Sequence, residues 1–368
     1  MNNVASVDAH SQACALTLEE LLRSVTWLHP GEVQSQADRS EFLIRLPLPG
    51  DLQATLLVKC KRELRPSHFP LLLEQYRAAS ASLEAAGPWI VPVLAMPWVS
   101  PRMAELCAQS GWSWFDLAGN HSLDIPGLLR LQRSGLESTV KAPRPGAQLG
   151  SGASGRVVVA LLLPEHAGRL WAQRELQKQA QVSLGLVNKV IRHLRDEAFI
   201  VEDKDGGFRL LEPLKLLVAW RDAYRFKRHR RLGYFTLLQG EKLRHALASL
   251  ADSTQGHALY SVFSAAEQQA PHVRQSKTWL YLREQDLPNL ELLAEAKRVD
   301  SGDNLVILIP HDDGVFFPSD RGGSEGLACT NLVQTYVDLW HSGGRGAEAA
   351  EALLEQRLKP EWQRGSKP

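Results

Sequence analysis

The sequence predicts a multi-domain α/β protein with a winged helix-turn-helix module in its middle. A chain of 368 residues is longer than one hydrophobic core usually supports, so two or three domains are expected. Apolar strand patterns alternate with helical patterns in the first and last thirds, whereas the middle third has three helices followed by a hairpin. From Arg156 to Arg231 there are 16 Lys and Arg against 9 Asp and Glu, which gives a local charge of +7 in a chain of net charge +1. This basic excess favours a polyanion-binding module between two other domains.

Residues 1–140 are expected to form the first α/β domain. Thr17-Leu-Glu-Glu20 has the pattern of a capping box and predicts the start of a helix. Phe42, Ile44 and Leu46 alternate as in a half-buried strand, and Pro49-Gly50-Asp51 is a turn into a second strand at 54–60. The remaining elements are predicted as a helix at 70–86, a strand at 89–95, a helix at 101–111 behind the cap Ser100, and strands at 112–117 and 121–125.

The second strand ends in Lys59-Cys60-Lys61, and this ending bears on catalysis. The domain resembles the restriction-endonuclease-like fold in its element order, and active members hold a divalent metal with an acid two residues before a lysine. Here Lys59 stands where that acid would be, and the upstream acids Asp38, Glu41 and Asp51 do not replace it. We therefore predict a nuclease-like scaffold with no catalytic residues and no metal, whose two lysines form a solvated strand end or touch phosphate. A metal-dependent DNA endonuclease is the alternative.

Residues 141–155 are predicted to be a linker because they are rich in Gly, Pro, Ser and Ala. Their last part, Gly150 to Arg156, has the glycine pattern of a phosphate loop. It follows no predicted strand and contains no lysine, so the linker interpretation is preferred.

Residues 156–231 are predicted to form the winged helix-turn-helix domain. Helices are expected at 156–163 and 172–180, and Ser183 is expected to cap a third helix that runs to about residue 197. In that third helix an apolar stripe recurs at i, i+3, i+4 and i+7, formed by Val187, Val190, Ile191 and Leu194. Two short apolar segments around Asp-Gly-Gly, within 199–211, predict a hairpin.

The polar face opposite that stripe is predicted to bind double-stranded DNA. Ser183, Asn188 and Lys189 are placed to meet base edges or phosphates. Phosphate contacts are expected from two arginines further along the helix and two cations of the hairpin, namely Arg192, Arg195, Lys204 and Arg209. Two other interpretations stay open: these charges solvate a small helical domain, or the module binds protein. The basic run Arg225 to Arg231 is either a track for the phosphate backbone or a solvated helix end.

Residues 232–368 are predicted to be a C-terminal α/β domain. Apolar strands are expected at 279–282 and 305–309, and a helix at 332–340. Asp312-Asp313 is interpreted as a turn and not as a pair of metal ligands, because adjacent strand residues face opposite ways. Ser342 to Gly346 is expected to join two helices, with Arg345 in an ion pair.

Composition argues against several classes of protein. No apolar stretch approaches the roughly 20 residues that cross a bilayer, and the N-terminus lacks the pattern of a secretory signal, so a cytoplasmic protein is expected. The four cysteines, Cys14, Cys60, Cys107 and Cys329, have no metal-ligand spacing. No cofactor motif and no serine nucleophile motif is present, so we expect no cofactor and no enzyme activity.

Three segments together resemble the AbiEi-like proteins, the antitoxin and transcriptional-regulator components of type IV toxin–antitoxin systems. The segments are WFDLAGN at 114–120, the central QVSLGLVNKVIRHLRDEAFIVEDKDGGFRL, and the C-terminal TYVDLWHSGGRGAEAAEALLE. The resemblance extends from about Ala37 to Leu358. Short members of the family begin with the winged helix, whereas this chain places another domain first.

This resemblance implies an autorepressor that binds its own promoter, with a nucleotidyltransferase-like toxin as its partner. DNA binding maps onto the segments from Ser183 to Arg195 and from Lys204 to Arg209, and the C-terminal domain would carry the antitoxin role. A homodimer is expected because operators of helix-turn-helix proteins are commonly palindromic.

Overall fold

The computed structural model describes residues 9–35, 40–80, 89–137, 149–150, 152–204, 206–317, 319–320 and 327–365. The chain has mixed α/β structure and divides into two compact units. Unit 1 contains the residues up to Pro145 together with Asp196–Ala198, and unit 2 contains Gly146–Arg195 and Phe199–Pro368. The predicted end of the first domain, at residue 140, lies close to this division. The predicted boundary between residues 231 and 232 falls inside unit 2.

Unit 1 is built on one mixed sheet whose strands lie in chain order. Its helices are α1 (Ala9–Arg23), α2 (Phe69–Ser80) and α3 (Pro101–Gln109). Its strands are β1 (Val33–Ser35), β2 (Glu41–Leu48), β3 (Leu52–Cys60), β4 (Ile90–Met96), β5 (Ser113–Asp116), β6 (His121–Ile125) and β7 (Leu129–Arg133). Strands β3, β4 and β5 are parallel, and the pairs on either side of them are antiparallel.

Alternating side chains divide the core of unit 1 between the two faces of this sheet. On one face α1 packs against residues such as Ile44, Val58 and Val93. On the other face Leu94 and Trp114 pack with residues of α2 and α3. The predicted hairpin between β2 and β3 is confirmed, with its turn at residues 49–51.

Helix α1 corrects one sequence prediction. It begins at Ala9, so Thr17 lies inside the helix, where its hydroxyl donates to the carbonyl of Ala13 at 3.0 Å. The Ser-Pro start of α3 is as predicted, since the Oγ of Ser100 accepts the backbone N–H of Met103. Two strands at the sheet edges, β1 and β7, were not predicted.

Unit 2 joins a helical module to a second mixed sheet. The helices of the module are α4 (Gly152–Leu162), α5 (Gln173–Ala180), α6 (Leu184–Asp196) and α7 (Pro213–Ala223), and its hairpin is β8 (Ile200–Glu202) and β9 (Phe208–Leu210). Residues 152–155 were predicted to be linker but form the first turn of α4. Residues 141–148 and 151 of that predicted linker lie outside the described residues.

The second sheet has the strand order β13-β10-β14-β12-β11-β16-β15. Its strands are β10 (Arg230–Phe235), β11 (Ala258–Tyr260), β12 (Thr278–Leu282), β13 (Lys297–Arg298), β14 (Leu305–Ile309), β15 (Ser319–Asp320) and β16 (Cys329–Thr330). The helices around it are α8 (Gly240–Ser253), α9 (Val262–Gln269), α10 (Leu287–Leu293), α11 (Leu332–His341), α12 (Gly346–Leu353) and α13 (Lys359–Gly365). A π-helical segment, Leu354–Leu358, connects α12 to α13.

The helical module and the second sheet share one hydrophobic core. Along β14, Leu305 and Ile307 face a core beneath α8 and α10, whereas Val306 and Leu308 face the core that also contains the apolar residues of α4 to α7. Trp362 of α13 is buried in this shared core, and its Nε1 donates to the carbonyl of Leu162 at 2.8 Å. The helical module is therefore packed as part of unit 2.

Candidate nucleic-acid interface

Helix α6 has the amphipathic form that the sequence predicted. The Oγ of Ser183 accepts the backbone N–H of Leu186 at 3.3 Å, so the expected cap is present. The apolar stripe is buried in the shared core and consists of Val187, Val190, Ile191 and Leu194. On the opposite face Asn188, Lys189 and Arg192 are exposed. At those three positions this face presents one amide group and two cationic groups.

Helices α5 and α6 are joined by a three-residue turn, as in a helix-turn-helix. The turn consists of Gln181, Val182 and Ser183, and Gln181 adopts a left-handed conformation with φ of 51°. On α5, the apolar residues Leu176 and Ala180 are buried, while Arg174 and Lys178 are exposed. These two cations of α5 were not predicted to bind DNA, although they come from the same basic segment.

The hairpin after α6 is attached to the helices through a residue that the sequence analysis missed. Trp171, between α4 and α5, pairs with Phe208 of β9: each backbone N–H donates to the other's carbonyl, at 2.8 and 3.0 Å. The indole is buried, and the guanidinium of Arg169 stacks over it at 4.1 Å. Because a single bridge leaves almost no sequence pattern, only the isolated tryptophan could have indicated it.

The predicted basic residues of the hairpin and of the end of α6 differ in their exposure and in their ion pairs. Lys204, at the turn, and Arg209, on β9, are exposed. Arg195 instead forms an ion pair with Glu202 of β8, which ties the end of α6 to the hairpin. Half-exposed pairs of this kind contribute about 0 to 1 kcal/mol. A phosphate could compete for Arg195, but this guanidinium already has an anionic partner.

The basic run Arg225 to Arg231 does not form a helix end. Helix α7 ends at Ala223, residues Phe226–Arg228 form a 3-10 turn, and β10 begins at Arg230. Arg230 pairs with Glu284, and Arg231 lies over the ring of Trp279 at 5.1 Å. The run is therefore divided between a turn and a sheet strand, with part of its charge neutralised locally.

The end of β3 is where the structure overturns an expectation. Lys59 was expected to be solvated, but it is only 4% exposed and pairs with Glu41, its direct neighbour across the β2–β3 ladder. The two residues fall opposite each other because the three-residue turn sets the register of the hairpin. Lys59 therefore does not present its ammonium group to DNA, and Glu41 is engaged with a cation of the protein itself. Asp38, another of the acids considered, lies outside the described residues.

The acidic pair Asp312-Asp313 is divided between two different partners. The Oδ1 of Asp312 accepts the backbone N–H of Gly314 at 2.8 Å, whereas Asp313 binds Arg283 at 2.7 Å. Within the described ranges, no group of three or more His, Cys, Asp or Glu side chains could hold a metal ion. The predicted ion pair of Arg345 is present, with Glu348 at 2.7 Å.

A buried polar network lies between α7, α11 and β10. The hydroxyl of Tyr224 donates to Asp338 Oδ1 at 2.8 Å and accepts from Gln334 at 2.7 Å. His229 lies 2.8 Å from the same hydroxyl and, through Nδ1, accepts the backbone N–H of His311, so its proton belongs on Nε2. Burial raises the pKa of Asp338 to about 7, whereas burial and the neighbouring His311 together lower the pKa of His229 to about 4.

We expect Asp338→Asn to stabilise the protein increasingly as pH rises from about 4 to about 7. Over that range the folded carboxyl binds a proton that the unfolded one has lost, so the stability of the native protein falls with rising pH. The full shift corresponds to at most about 4 kcal/mol at pH 7 and above. His229 makes the free energy of unfolding rise with pH between about pH 4 and pH 6.5 in both proteins, because its folded pKa is depressed. Urea unfolding of both proteins from pH 4.5 to 7.5 measures the difference, and a pH-independent difference would contradict the prediction.

Residues 209–359 match the family model described as "Transcriptional regulator, AbiEi antitoxin, Type IV TA system" and named AbiEi_2. This segment is similar to the AbiEi_2 family. It begins on β9, includes α7 and the second sheet, and ends at the start of α13. The resemblance stated from the sequence is thus confirmed for this part of the chain, which contains the third of the three quoted segments.

The AbiEi_2 segment covers less than half of the chain. Of the residues predicted to bind DNA, it includes Arg209, while Ser183 to Lys204 precede it. No curated protein and no solved structure matches the chain significantly. Among the described helices, none is long and apolar enough to cross a membrane.

Proposed function

We propose that this protein is a cytoplasmic transcriptional regulator and antitoxin of a type IV toxin–antitoxin system that binds duplex DNA through residues 152–210, folded as a winged helix. The observation that carries this proposal is α6, whose exposed face bears Asn188, Lys189 and Arg192 while its apolar back is buried. The unit that presents this helix also contains the AbiEi_2 segment. Binding and not chemistry is the proposed activity.

In this proposal α6 enters the major groove. Helices are about 10 to 12 Å wide, which fits a groove about 12 Å wide. Ser183, the cap of α6, and Asn188 and Lys189 on its first half would approach base edges or phosphates, while Arg192 would approach the backbone. The hairpin would act as the wing, with Lys204 and Arg209 on phosphates. Arg195 contributes less because Glu202 already neutralises it.

The other partners follow from the family and from the usual symmetry of operators. The proposed toxin partner is nucleotidyltransferase-like and would contact the AbiEi_2 segment outside the helical module. A homodimer would place two copies of α6 on the two half-sites of a palindromic operator. Both proposals concern binding surfaces and leave the DNA-binding role of α6 unchanged.

For unit 1 we propose a nuclease-like scaffold that performs no metal chemistry. The succession of α1, the β2–β3 hairpin, α2 and a parallel β4 supports the scaffold. The pair of Lys59 with Glu41 argues against the endonuclease alternative, because an ammonium group occupies the place of a metal-binding carboxylate. Magnesium-dependent cleavage of DNA by the full chain would overturn this part of the proposal.

We expect Lys189→Ala with Arg192→Ala to weaken DNA binding about 10- to 100-fold, as removal of two base or phosphate contacts does. The measurement is fluorescence anisotropy with DNA from immediately upstream of the gene and with scrambled DNA, across a salt series. The logarithmic salt slope should become shallower by about one or two, because fewer counterions are released.

Lys242→Ala with Arg244→Ala is the matched control. It removes the same charges from exposed positions of α8, far from α6 in the sequence, and should leave affinity for the upstream DNA within about twofold of the original. Equal losses of DNA affinity in the two double variants would show that net charge alone causes the effect. A folded α6 variant that binds as tightly as the original protein would refute the proposed interface.

A further inference from the structure

A cavity in unit 2 lies where three segments distant in sequence meet. Its walls come from the start of α4, the end of α7 with the basic turn after it, and the turn that follows β14. Its space for water-sized spheres is about 50 Å³, below the roughly 300 to 1,000 Å³ typical of drug-sized ligand sites, so it can take in an anionic group while the rest of a larger ligand stays at its open mouth. None of the residues of α6 and of the β8–β9 hairpin that were predicted to bind DNA lines it.

The charged side chains around this cavity are mainly cationic. Arg156, Arg225 and Arg228 line it, and Asp312 is the single carboxylate among the lining residues. Asp312 is already engaged by the backbone N–H of Gly314 and lies 3.8 Å from Arg156. In the part of the chain that the structure describes, neither Arg225 nor Arg228 has a carboxylate partner. The cavity therefore has an excess of positive charge.

Glycines allow two segments at the wall of the cavity to pack closely against its charged side chains. A Cβ atom on Gly152 would lie 2.4 Å from Cγ of Asp312, and one on Gly314 would lie 2.8 Å from Cγ of Arg156, so glycine is required for this packing. Gly152 begins α4, an 11-residue helix whose first amides carry partial positive charge. This is the stretch whose glycines have the pattern of a phosphate loop, although it contains no lysine.

The rest of the wall is apolar or held rigid by hydrogen bonds. Trp220, Val159 and Val315 supply apolar surface beside the cations. His229 is fixed between the hydroxyl of Tyr224 and the backbone N–H of His311. An apolar wall next to several cations suits a ligand that joins an anionic group to an apolar part.

We propose that this cavity binds a small molecule that carries a phosphate or pyrophosphate group, with Arg225, Arg228 and Arg156 holding the anion. Arginine suits such ligands because its planar donors bind two oxygens at once. Since α4 and α7 belong to the helical module and also line the cavity, an occupied cavity would alter how the module binds DNA. This effect on DNA binding rests on the proposed function, whereas ligand binding itself does not.

The test is isothermal titration of the full chain, without DNA, with inorganic pyrophosphate and separately with ADP. We expect saturable binding of one ligand per chain, weakened about 10- to 100-fold by Arg225→Ala with Arg228→Ala, because this double variant removes two charge-assisted contacts to the anion. Lys227→Ala with Arg230→Ala is the matched control, since it removes two charges from the same run but neither residue lines the cavity. The control should bind like the original protein.

A second variant guards against a folding defect. Asp312→Asn keeps an acceptor for the N–H of Gly314 but removes the negative charge, so pyrophosphate should bind a few-fold more tightly. Absence of binding by the original protein, or equal losses in the two double variants, would overturn the proposal. A third outcome is that Arg225→Ala with Arg228→Ala weakens DNA binding while the original protein binds no pyrophosphate. In that case these residues hold DNA phosphates and the small-molecule site does not exist.

Discussion

Lys59→Ala should destabilise unit 1 by about 3 to 5 kcal/mol, the cost of leaving a buried charge without its partner. Glu41 would keep a largely buried carboxylate, with a side chain 17% exposed, next to an empty space. Hydrogen exchange of the β2 and β3 amides isolates this effect from unit 2. Their protection should fall sharply, while the amides of β14 keep theirs.

Two companion variants make this result specific. Lys61→Ala, two residues further along and just past the end of β3, should change stability little, because this side chain is partly exposed. Lys59→Met with Glu41→Leu should recover most of the loss, since apolar residues of similar volume often replace a buried ion pair without penalty. If Lys59→Ala is as harmless as Lys61→Ala, the pair does not stabilise the sheet.

Asp116→Ala should cost about 3 kcal/mol or more, because several buried donors would lose their acceptor together. The Asp116 carboxylate is fully buried and accepts the backbone N–H groups of Val99, Ala118 and Asn120 at 2.9 to 3.3 Å. It also accepts the side-chain amide of Asn120 at 3.0 Å, and the Asn120 amide in turn donates to the carbonyl of Leu136. Two residues of the WFDLAGN segment therefore hold the end of β5 together.

Asp124→Ala is the control for this prediction. Asp124 lies on the neighbouring strand β6 with its side chain exposed, so its loss should be nearly neutral. The urea midpoint of the full chain and the exchange of β5 and β6 amides compare the two variants. Full stability of Asp116→Ala would show that water satisfies the freed donors.

Features with local causes could be predicted from the sequence. Strands β6 and β14 have the predicted bounds because continuous or alternating apolar residues end at turns. The cap and stripe of α6 follow from the spacing of its own residues. The exposure of Asn188, Lys189 and Arg192 follows from the same spacing, so this part of the candidate interface could be predicted from the sequence.

Features that depend on distant partners could not be predicted. The burial of Lys59 depends on Glu41, 18 residues earlier, and on the register of a hairpin. Trp171 joins the hairpin only because β9 reaches it. The pattern at Thr17 also misled, since Thr followed by Glu suits the inside of a helix as well as its start. The cavity combines residues of α4, α7 and the turn after β14, and no local pattern connects them.

The hydrogen bond from Trp362 to Leu162 has a consequence for the timing of synthesis. A ribosome that has just added Leu162 must add 200 more residues before the indole exists. At roughly 5 to 20 residues per second this takes on the order of 10 to 40 s. During that time the side chains that α9, α11 and α13 contribute to the shared core behind α4 to α7 are added one helix after another, and α13 is the last. A nascent chain would therefore expose α6 before the support behind that helix is complete, and the DNA binding proposed for α6 would become tight only after the AbiEi_2 segment has left the ribosome.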